Sequence, residues 1–296
     1  MLKIRKVSDY ELKLIRKKGD GAVNGLFEMD DPTYRKQKGL SYSAFKEFLT
    51  SPAAYKNYLT APKKFSPAMQ FGTAAHCKIL EPERFDVRYT QAPNLDGPKT
   101  RNPWKQEWED FKAANVAKTV LSRDSWYALD KMQQVIFETE ASAQYFRNGT
   151  PEVAMFWTDP VTGIQCKAKC DWLSEEHGVI DYKTTSVHFP SGNQEVVGDA
   201  LIGEIAKYRY HMQVAHYMAG VSALHLDCEH NFTFVFQRTH SGFECVPLDL
   251  HPQDVERAFA LRARKLKEFK ECQETNHWPG LPYLKVRGRL PDSAFA

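Results

Sequence analysis

The sequence predicts an α/β (α+β) protein in which helices flank a central mixed β-sheet. The spacing of apolar residues is helical over much of residues 40–150 and then changes to strand-like segments separated by short turns. Three consecutive strands with short connections indicate an antiparallel meander, and helical patterns alternate with two more strands after it. With 296 residues, the chain is long for one domain and short for two, so we expect one α/β core with an N-terminal helical elaboration.

Each element follows from a local signal. Apolar spacing and capping residues predict helices at 44–51, 53–59, 66–85, within 106–147 (two helices), 206–221 and 252–274. Strands are expected at 152–157, 164–173, 179–185, 232–237 and 243–248. Small residues in the third helix (Gly72, Ala74 and Ala75) should let it lie close to the sheet.

The predicted domain organisation has three parts. Residues 1–39 are polar and contain turn signals, so we expect an extended or partly ordered arm. Residues 40–285 form one domain with a helical part (40–150) and a sheet core (151–275), and residues 286–296 form a tail.

Composition limits the possible functions. The formal net charge is only +3, so any nucleic-acid-binding surface must be local. The six cysteines form no CxxC pair and indicate reduced thiols in a cytoplasmic protein. The N-terminus has no apolar segment typical of a signal peptide, and no run approaches the ~18 apolar residues needed to cross a bilayer. We therefore expect a soluble protein without membrane partners.

The most informative stretch is the hairpin predicted over residues 164–185. If residues 175–177 form a three-residue loop closed by Gly178, Ser174 faces Gly178 and Asp171 faces Asp181. Cross-strand β-carbons are then about 5 Å apart, and two such carboxylates repel each other unless a cation lies between them. Lys183 is two residues from Asp181 and shares its face of the strand.

Two carboxylates and an ammonium on one patch suit phosphodiester hydrolysis. A divalent cation on Asp171 and Asp181 would activate a water and polarise the phosphate, with a second cation about 3.5–4 Å away. Lys183 could orient or help deprotonate the attacking water, or neutralise developing charge. The alternative interpretation is a surface hairpin with ordinary charges. Asp181-Tyr-Lys183 is set apart from three similar tripeptides, which lie on helix-like segments: 11–13, 110–112 and 268–270.

Other candidates have ordinary explanations as well. His76 is a possible ligand, although a lone histidine on such a helix face is usually a core residue, and Glu81 is a weaker candidate. Lys56, Lys99 and Arg101 are possible contacts for DNA phosphates, but a solvated surface charge is the simpler explanation for Lys56, and loops such as the one with Lys99 and Arg101 are commonly basic.

The order His76, Asp171, Asp181-x-Lys183, Gln213-x-x-x-Tyr217 resembles the PD-(D/E)xK nuclease superfamily, in the branch shared by RecB-type nuclease domains and RecE-type exonucleases (exonuclease VIII). Longer segments resemble RecE and its phage relatives, and together they extend the resemblance to roughly residues 38–285: LSYSAFKEFLTSPAAY, FGTAAHCKILEPERF, EVAMFWTDPVTGIQCKAKCDWL, VIDYKTT, YRYHMQVAHYMAG and WPG.

The resemblance implies a restriction-endonuclease-like core and a role for each matching residue. His76 and Asp171 would bind one metal ion, and Asp171, Asp181 and the backbone carbonyl of Tyr182 would bind the other. Lys183 would serve the nucleophilic water. On the following helix, Gln213 and Tyr217 would face the site and hold the DNA or the lysine. Glu152 is either a supporting acid or a plain strand residue.

The activity implied is Mg²⁺-dependent 5′→3′ digestion of double-stranded DNA ends, with Mn²⁺ as a substitute. It would leave 3′ single strands for a RecT-like annealing protein, in the cytoplasm of a bacterial cell or phage-infected host, and relatives tend to form rings. No iron–sulfur cluster is expected, because Ser51 stands where the early cysteine would be and only Cys272 lies near the C-terminus. The alternatives are a RecB-like endonuclease and a catalytically inactive DNA-binding recombination accessory protein on the same fold.

Overall fold

The computed structural model describes residues 2–6, 23–62, 66–95, 102–189, 194–281 and 289. Its main feature is a mixed sheet of eight strands with helices on both faces. The strands are β1 (Ile4–Lys6), β2 (Gly25–Glu28), β3 (Leu40–Ser41), β6 (Gly149–Thr158), β7 (Gln165–Ser174), β8 (Gly178–Thr185), β9 (Phe232–Arg238) and β10 (Cys245–Asp249), and a separate pair is formed by β4 (Tyr89–Gln91) and β5 (Thr119–Leu121).

The helices of the described residues surround this sheet. They are α1 (Asp31–Lys36), α2 (Tyr42–Phe48), α3 (Pro52–Thr60), α4 (Pro67–Leu80), α5 (Pro82–Arg88), α6 (Asn102–Ala114), α7 (Arg123–Glu138), α8 (Glu140–Ala143) with a 3₁₀ turn (Gln144–Phe146), α9 (Gln194–Tyr208), α10 (Tyr210–Ala223) and α11 (Pro252–Thr275). Among these helices, none has the length and apolar composition to span a membrane.

The sheet order is β1-β2-β6-β7-β8-β9-β10, with β3 paired to β7. Strands β6, β7 and β8 form the predicted antiparallel meander. Strand β9 then pairs in parallel with β8 and antiparallel with β10, so the sheet is mixed as predicted.

Both faces of the central strands are buried. Along β8, Val179 belongs to the core beneath α2, α10 and α11, whereas Ile180 and Tyr182 belong to a second core beneath α4 and α7. Helix α4 approaches β8 closely, because a β-carbon at Gly72 would lie 3.4 Å from Thr184 Oγ1. Its small residues therefore place the helix, and His76 with it, against the sheet.

The N-terminal segment differs from the arm that we expected for residues 1–39. Strand β2 pairs with β6, and its Leu26 and Phe27 are buried, so this part of the segment extends the main sheet. A strand of four residues is too short for an alternation of apolar and polar side chains to be recognised in a mostly polar segment. The limits of the predicted domain and tail stay predictions.

Two helix boundaries also differ from expectation. The helix expected at 66–85 ends before Pro82, because a proline cannot supply the N–H that continues a helix. The helix expected at 206–221 is interrupted at Arg209, whose φ of 60° is left-handed. The preceding helix α9 was not expected, and neither was its junction with α10.

Candidate active site

The candidate site lies where β7 and β8 separate. Their backbone pairing runs from Ser174↔Gly178, as the hairpin predicts, to Trp172↔Ile180 and then stops. The next residues on the two strands are Asp171 and Asp181. Instead of a backbone carbonyl, Asp171 Oδ2 accepts the Tyr182 N–H at 2.9 Å. We call this point, where β7 and β8 separate, the fork. It brings the two predicted aspartates together.

Asp181 is the buried centre of the site. Its side chain is 3% exposed, one carboxylate oxygen pairs with the Lys183 ammonium, and the other accepts a 2.6 Å hydrogen bond from Gln213 Nε2. Helix α10 thus contacts Asp181 through Gln213, whereas the resemblance implied contact with the lysine or DNA.

A second group of ligand atoms lies beside this pair. His76, Glu152 and Asp171 each offer one ligand atom, and these three atoms lie within 4.8 Å of one another. His76 Nδ1 is 3.6 Å from Asp171 Oδ2. The structure thereby brings together three chain segments: helix α4, strand β6 and strand β7.

Glu152 has an unusual backbone conformation. Its φ is 56°, in the left-handed region that non-glycine residues rarely adopt, and backbone pairing of β6 with β7 is interrupted between Pro151↔Trp172 and Val153↔Cys170. Such a conformation persists only where the surroundings hold it, and it is concentrated at functional sites. Glu152 Oε2 is also 2.5 Å from Lys169 Nζ, which contacts Asp31 as well.

Burial and neighbouring charges determine the protonation of the ligand group. Burial, reinforced by the nearby Asp181 charge, raises the pKa of Asp171 well above its usual value, although Lys183 opposes this. Burial and the Lys183 charge lower the pKa of His76, so its imidazole is neutral and can act as a ligand. Burial thus disfavours the charged form of the Asp171 carboxylate, whereas it favours the neutral form of His76 that can bind a metal ion.

The Lys183 ammonium is held in its charged form. Burial alone would lower the pKa of Lys183, but Asp181 and Asp171 outweigh this effect and raise it above the usual value. The ammonium also lies 4.9 Å from the centre of the Tyr210 ring. A lysine in this state can donate hydrogen bonds and neutralise charge, but it is a poor proton acceptor.

The surrounding side chains fix the strands that carry the site. The Tyr182 hydroxyl donates a 2.6 Å hydrogen bond to Gln237 Oε1, and its ring lies edge-on to His76 at 5.2 Å. The Tyr217 hydroxyl donates to the Lys169 carbonyl at 3.1 Å, so it contacts the backbone of β7. His216, whose pKa burial lowers to about 3, lies with Nε2 3.1 Å from the Leu40 carbonyl.

The other sequence candidates have different surroundings. Lys56 Nζ lies over the Trp278 ring at 5.1 Å, and Glu81 forms ion pairs with Arg84 and Arg88. Lys99 and Arg101 lie outside the described residues. The roles assigned to the sequence-predicted residues, including the Tyr182 carbonyl, stay predictions.

The donor set fits a hard divalent cation. One neutral imidazole and two carboxylates, whose ligand atoms lie within 4.8 Å of one another, match the oxygen-rich coordination that Mg²⁺ and Mn²⁺ prefer. A cation would also relieve the repulsion between the Asp171 and Asp181 carboxylates at the fork. His76, Glu152, Asp171 and Asp181 are the residues that would hold it.

A mixed sheet that presents two aspartates and a lysine from neighbouring strands, between layers of helices, defines the class of PD-(D/E)xK nucleases. The chain belongs to the family described as PDDEXK-like domain of unknown function (DUF3799), whose model matches residues 41–282. This confirms the superfamily predicted from the sequence, while the RecE-type branch stays a prediction.

The fold is similar to that of a solved structure from Eubacterium rectale, which bears the name "Putative exonuclease". The two share 11% sequence identity with a TM-score of 0.57, and the similarity covers 90% of this chain and 98% of the other. At this identity the likeness shows the fold. A comparison with curated proteins gave no match.

Proposed function

We propose that this chain is a Mg²⁺-dependent exodeoxyribonuclease that digests linear double-stranded DNA in the 5′→3′ direction and leaves 3′ single strands. The observation that carries the proposal is the fork between β7 and β8, which gathers Asp171, Asp181 and Lys183 on one patch of the sheet where Asp181 is buried and the other two are partly exposed. The PD-(D/E)xK family membership supports phosphodiester hydrolysis, and the sequence resemblance to RecE-type enzymes supports the exonuclease activity and its direction.

The ligand residues divide between two cation positions. His76, Glu152 and Asp171 would hold one ion, and Asp171, Asp181 and the Tyr182 carbonyl the other. Bound divalent ions would supply a water of lowered pKa and an electrophilic contact to the scissile phosphate, and Mn²⁺ should substitute for Mg²⁺. Gln213 keeps the Asp181 carboxylate in place through its 2.6 Å hydrogen bond.

Lys183 orients the attacking water and stabilises negative charge on the phosphate. Its raised pKa and its ion pair with Asp181 favour these two roles over proton abstraction. Of the roles that the sequence left open for this lysine, general base catalysis is therefore the one that we exclude from the proposal.

The resemblance extends the proposal to biological context. We infer a ring-shaped homo-oligomer that encircles the duplex, acts in the cytoplasm and delivers its 3′ single strands to a RecT-like annealing protein. Strand-annealing recombination would be the process served.

The test uses three forms of one DNA molecule: linear duplex labelled at its 5′ ends, the same duplex labelled at its 3′ ends, and the covalently closed circle. The proposal predicts Mg²⁺-dependent release of the 5′ label as mononucleotides or short products, retention of the 3′ label on single strands and no attack on the circle. Linearisation of the circle would instead indicate a RecB-like endonuclease. DNA binding without any cleavage would indicate a catalytically inactive binding protein.

A further inference from the structure

Tyr210, which lies beside Lys183, and its neighbour Tyr208 have no role in the proposed function so far. The rings of Tyr208 and Tyr210 are stacked, with centroids 5.5 Å apart at an interplanar angle of 29°. Tyr210 is the inner ring, because the Lys183 ammonium lies 4.9 Å from its centre and Phe234 of β9 lies 6.0 Å away. Tyr208 is the outer ring and is 40% exposed. A row of aromatic rings therefore leads from the sheet core past the catalytic lysine to the surface.

The backbone between the two rings holds this arrangement in place. Arg209 adopts a left-handed conformation that ends α9 and starts α10, although it is neither glycine nor asparagine. The buried Tyr42 hydroxyl donates a 2.6 Å hydrogen bond to the Arg209 carbonyl and fixes the turn. Without this break, residues 208 and 210 would lie on one continuous helix, where side chains two positions apart do not face each other. The strained turn therefore produces the stacked pair.

Positive charges accompany both rings. Lys207 Nζ lies 5.3 Å from the centre of the Tyr208 ring, and Lys183 lies against Tyr210 on the inner side. An exposed aromatic ring with adjacent cations is the combination that binds single-stranded nucleic acid, since the ring stacks on a base and the cations attract the phosphates. Duplex DNA offers no free base face to such a ring unless a base has left the stack.

We propose that Tyr208 stacks on the nucleobase next to the scissile phosphate, so that this nucleotide is bound unstacked from the duplex. The inference rests on the proposed nuclease function and deepens it by naming the substrate form at the site, which is a frayed or single-stranded end. Tyr210 packs against Tyr208 and holds its ring in a fixed position relative to Lys183. In this arrangement Tyr208 is a substrate-positioning residue and takes no part in proton transfer.

Binding measurements with Ca²⁺ in place of Mg²⁺ test the inference separately from cleavage. The DNA molecules are a duplex with a frayed end and a set of otherwise identical duplexes. Each duplex of the set carries one abasic site, placed at a different terminal nucleotide of one strand. The variants are Tyr208→Leu, which removes the ring, and Tyr208→Phe, which restores it. Tyr127→Leu is the matched control, because Tyr127 is also an exposed tyrosine with a lysine nearby, at 5.9 Å.

We expect Tyr208→Leu to weaken binding of the frayed duplex about tenfold, the loss typical of one base–aromatic contact. Tyr208→Phe should recover most of this loss, and Tyr127→Leu should bind like the unmodified protein. One abasic position should weaken binding to the unmodified protein by a similar factor and cause no further loss in Tyr208→Leu, because both changes remove the same contact.

Unchanged binding by Tyr208→Leu would overturn the inference. It would also be overturned if Tyr208→Leu bound the abasic duplex with a loss equal to the product of the two separate losses. Failure of the proposed function has a different signature, which is the absence of Mg²⁺-dependent nucleotide release by the unmodified protein whatever its binding pattern. Melting curves of the three variants confirm that the losses are not caused by unfolding.

Discussion

Gln213 Nε2 lies 2.6 Å from Asp181 Oδ1, while the other carboxylate oxygen of Asp181 pairs with Lys183. Helix α10 thereby contacts one oxygen of the aspartate through Gln213, and its own strand contacts the other oxygen through Lys183. Side chains that orient metal ligands in this way strongly affect activity without contacting the substrate.

Gln213→Leu should therefore lower kcat/KM by about 10- to 100-fold while the protein stays folded. The substitution removes the donor and leaves Asp181 oriented by Lys183 alone. Steady-state cleavage and a melting curve measure the two effects. Gln133→Leu is a suitable control, because it removes a 2.9 Å hydrogen bond from Gln133 to the Lys78 carbonyl in another helix pair. Equal losses of activity in both variants would contradict a specific role for Gln213.

Glu152→Gln should raise the Mg²⁺ concentration needed for half-maximal activity by about tenfold or more, because it removes one negative charge from the ligand group. The readout is a Mg²⁺ titration of cleavage, repeated with Mn²⁺. Glu140→Gln removes a carboxylate that pairs with Arg147 on the surface and should leave the titration unchanged. Identical titrations of Glu152→Gln and the unmodified protein would exclude Glu152 as a ligand.

Asp171→Asn should stabilise the metal-free protein at neutral pH. Burial and Asp181 raise the pKa of Asp171 in the folded state above its unfolded value of about 3.9, so the folded state binds more protons and stability falls as pH rises between the two values. Asparagine keeps an acceptor for the Tyr182 N–H and carries no charge. In EDTA, Tm should rise by about 2 °C or more at pH 7.5, and the gain should disappear below about pH 4.

Asp159→Asn is the matched comparison, because its expected change in stability has the opposite sign. Although burial opposes it, hydrogen bonds from Thr162 and the ion pair with Arg262 lower the pKa of Asp159, so its contribution to stability is present above the unfolded pKa and is lost as pH falls through the folded one. This variant should be destabilised at pH 7.5. A loss of stability in Asp171→Asn resembling that in Asp159→Asn would show that the Asp171 carboxylate is stabilising without metal.

Tyr182→Phe should lower the free energy of unfolding by about 1–3 kcal/mol, because it leaves Gln237 Oε1 without its buried 2.6 Å donor. Urea denaturation measures the change, and Tyr127→Phe is the exposed control. Because the hydroxyl points away from the ligand group toward Gln237, cleavage by the folded variant should be retained. A loss of activity without a loss of stability would place the hydroxyl in the catalytic site.

The hairpin was predictable because one glycine sets its register. Gly178 has a φ of 71°, and a β-carbon there would lie 2.4 Å from the Asn231 carbonyl oxygen, so only glycine fits. The pairing Ser174↔Gly178 confirms the predicted register and extends it toward Asp171 and Asp181. Spacing along β8 then places Lys183 beside Asp181 without any knowledge of the tertiary structure.

The backbone conformations of Glu152 and Arg209 could not be predicted from the sequence, although Glu152 itself is expected there to be either a supporting acid or a plain strand residue. Both residues adopt left-handed backbone conformations without being glycine or asparagine, and such strain depends on the packing around them. The place of Glu152 in the ligand group further depends on His76, which arrives on a helix far away in the chain. Patterns within one segment carry no signal for either feature.

Asp181 and Lys183 are the core of the metal-dependent nuclease centre that we propose. The most direct test measures Mg²⁺-dependent nucleotide release from linear duplex DNA by the unmodified protein, Asp181→Asn and Lys183→Met. The proposed function predicts release by the unmodified protein, none when EDTA replaces Mg²⁺, and a loss of about 100-fold or more in each folded variant. Near-normal release by either variant would contradict the account.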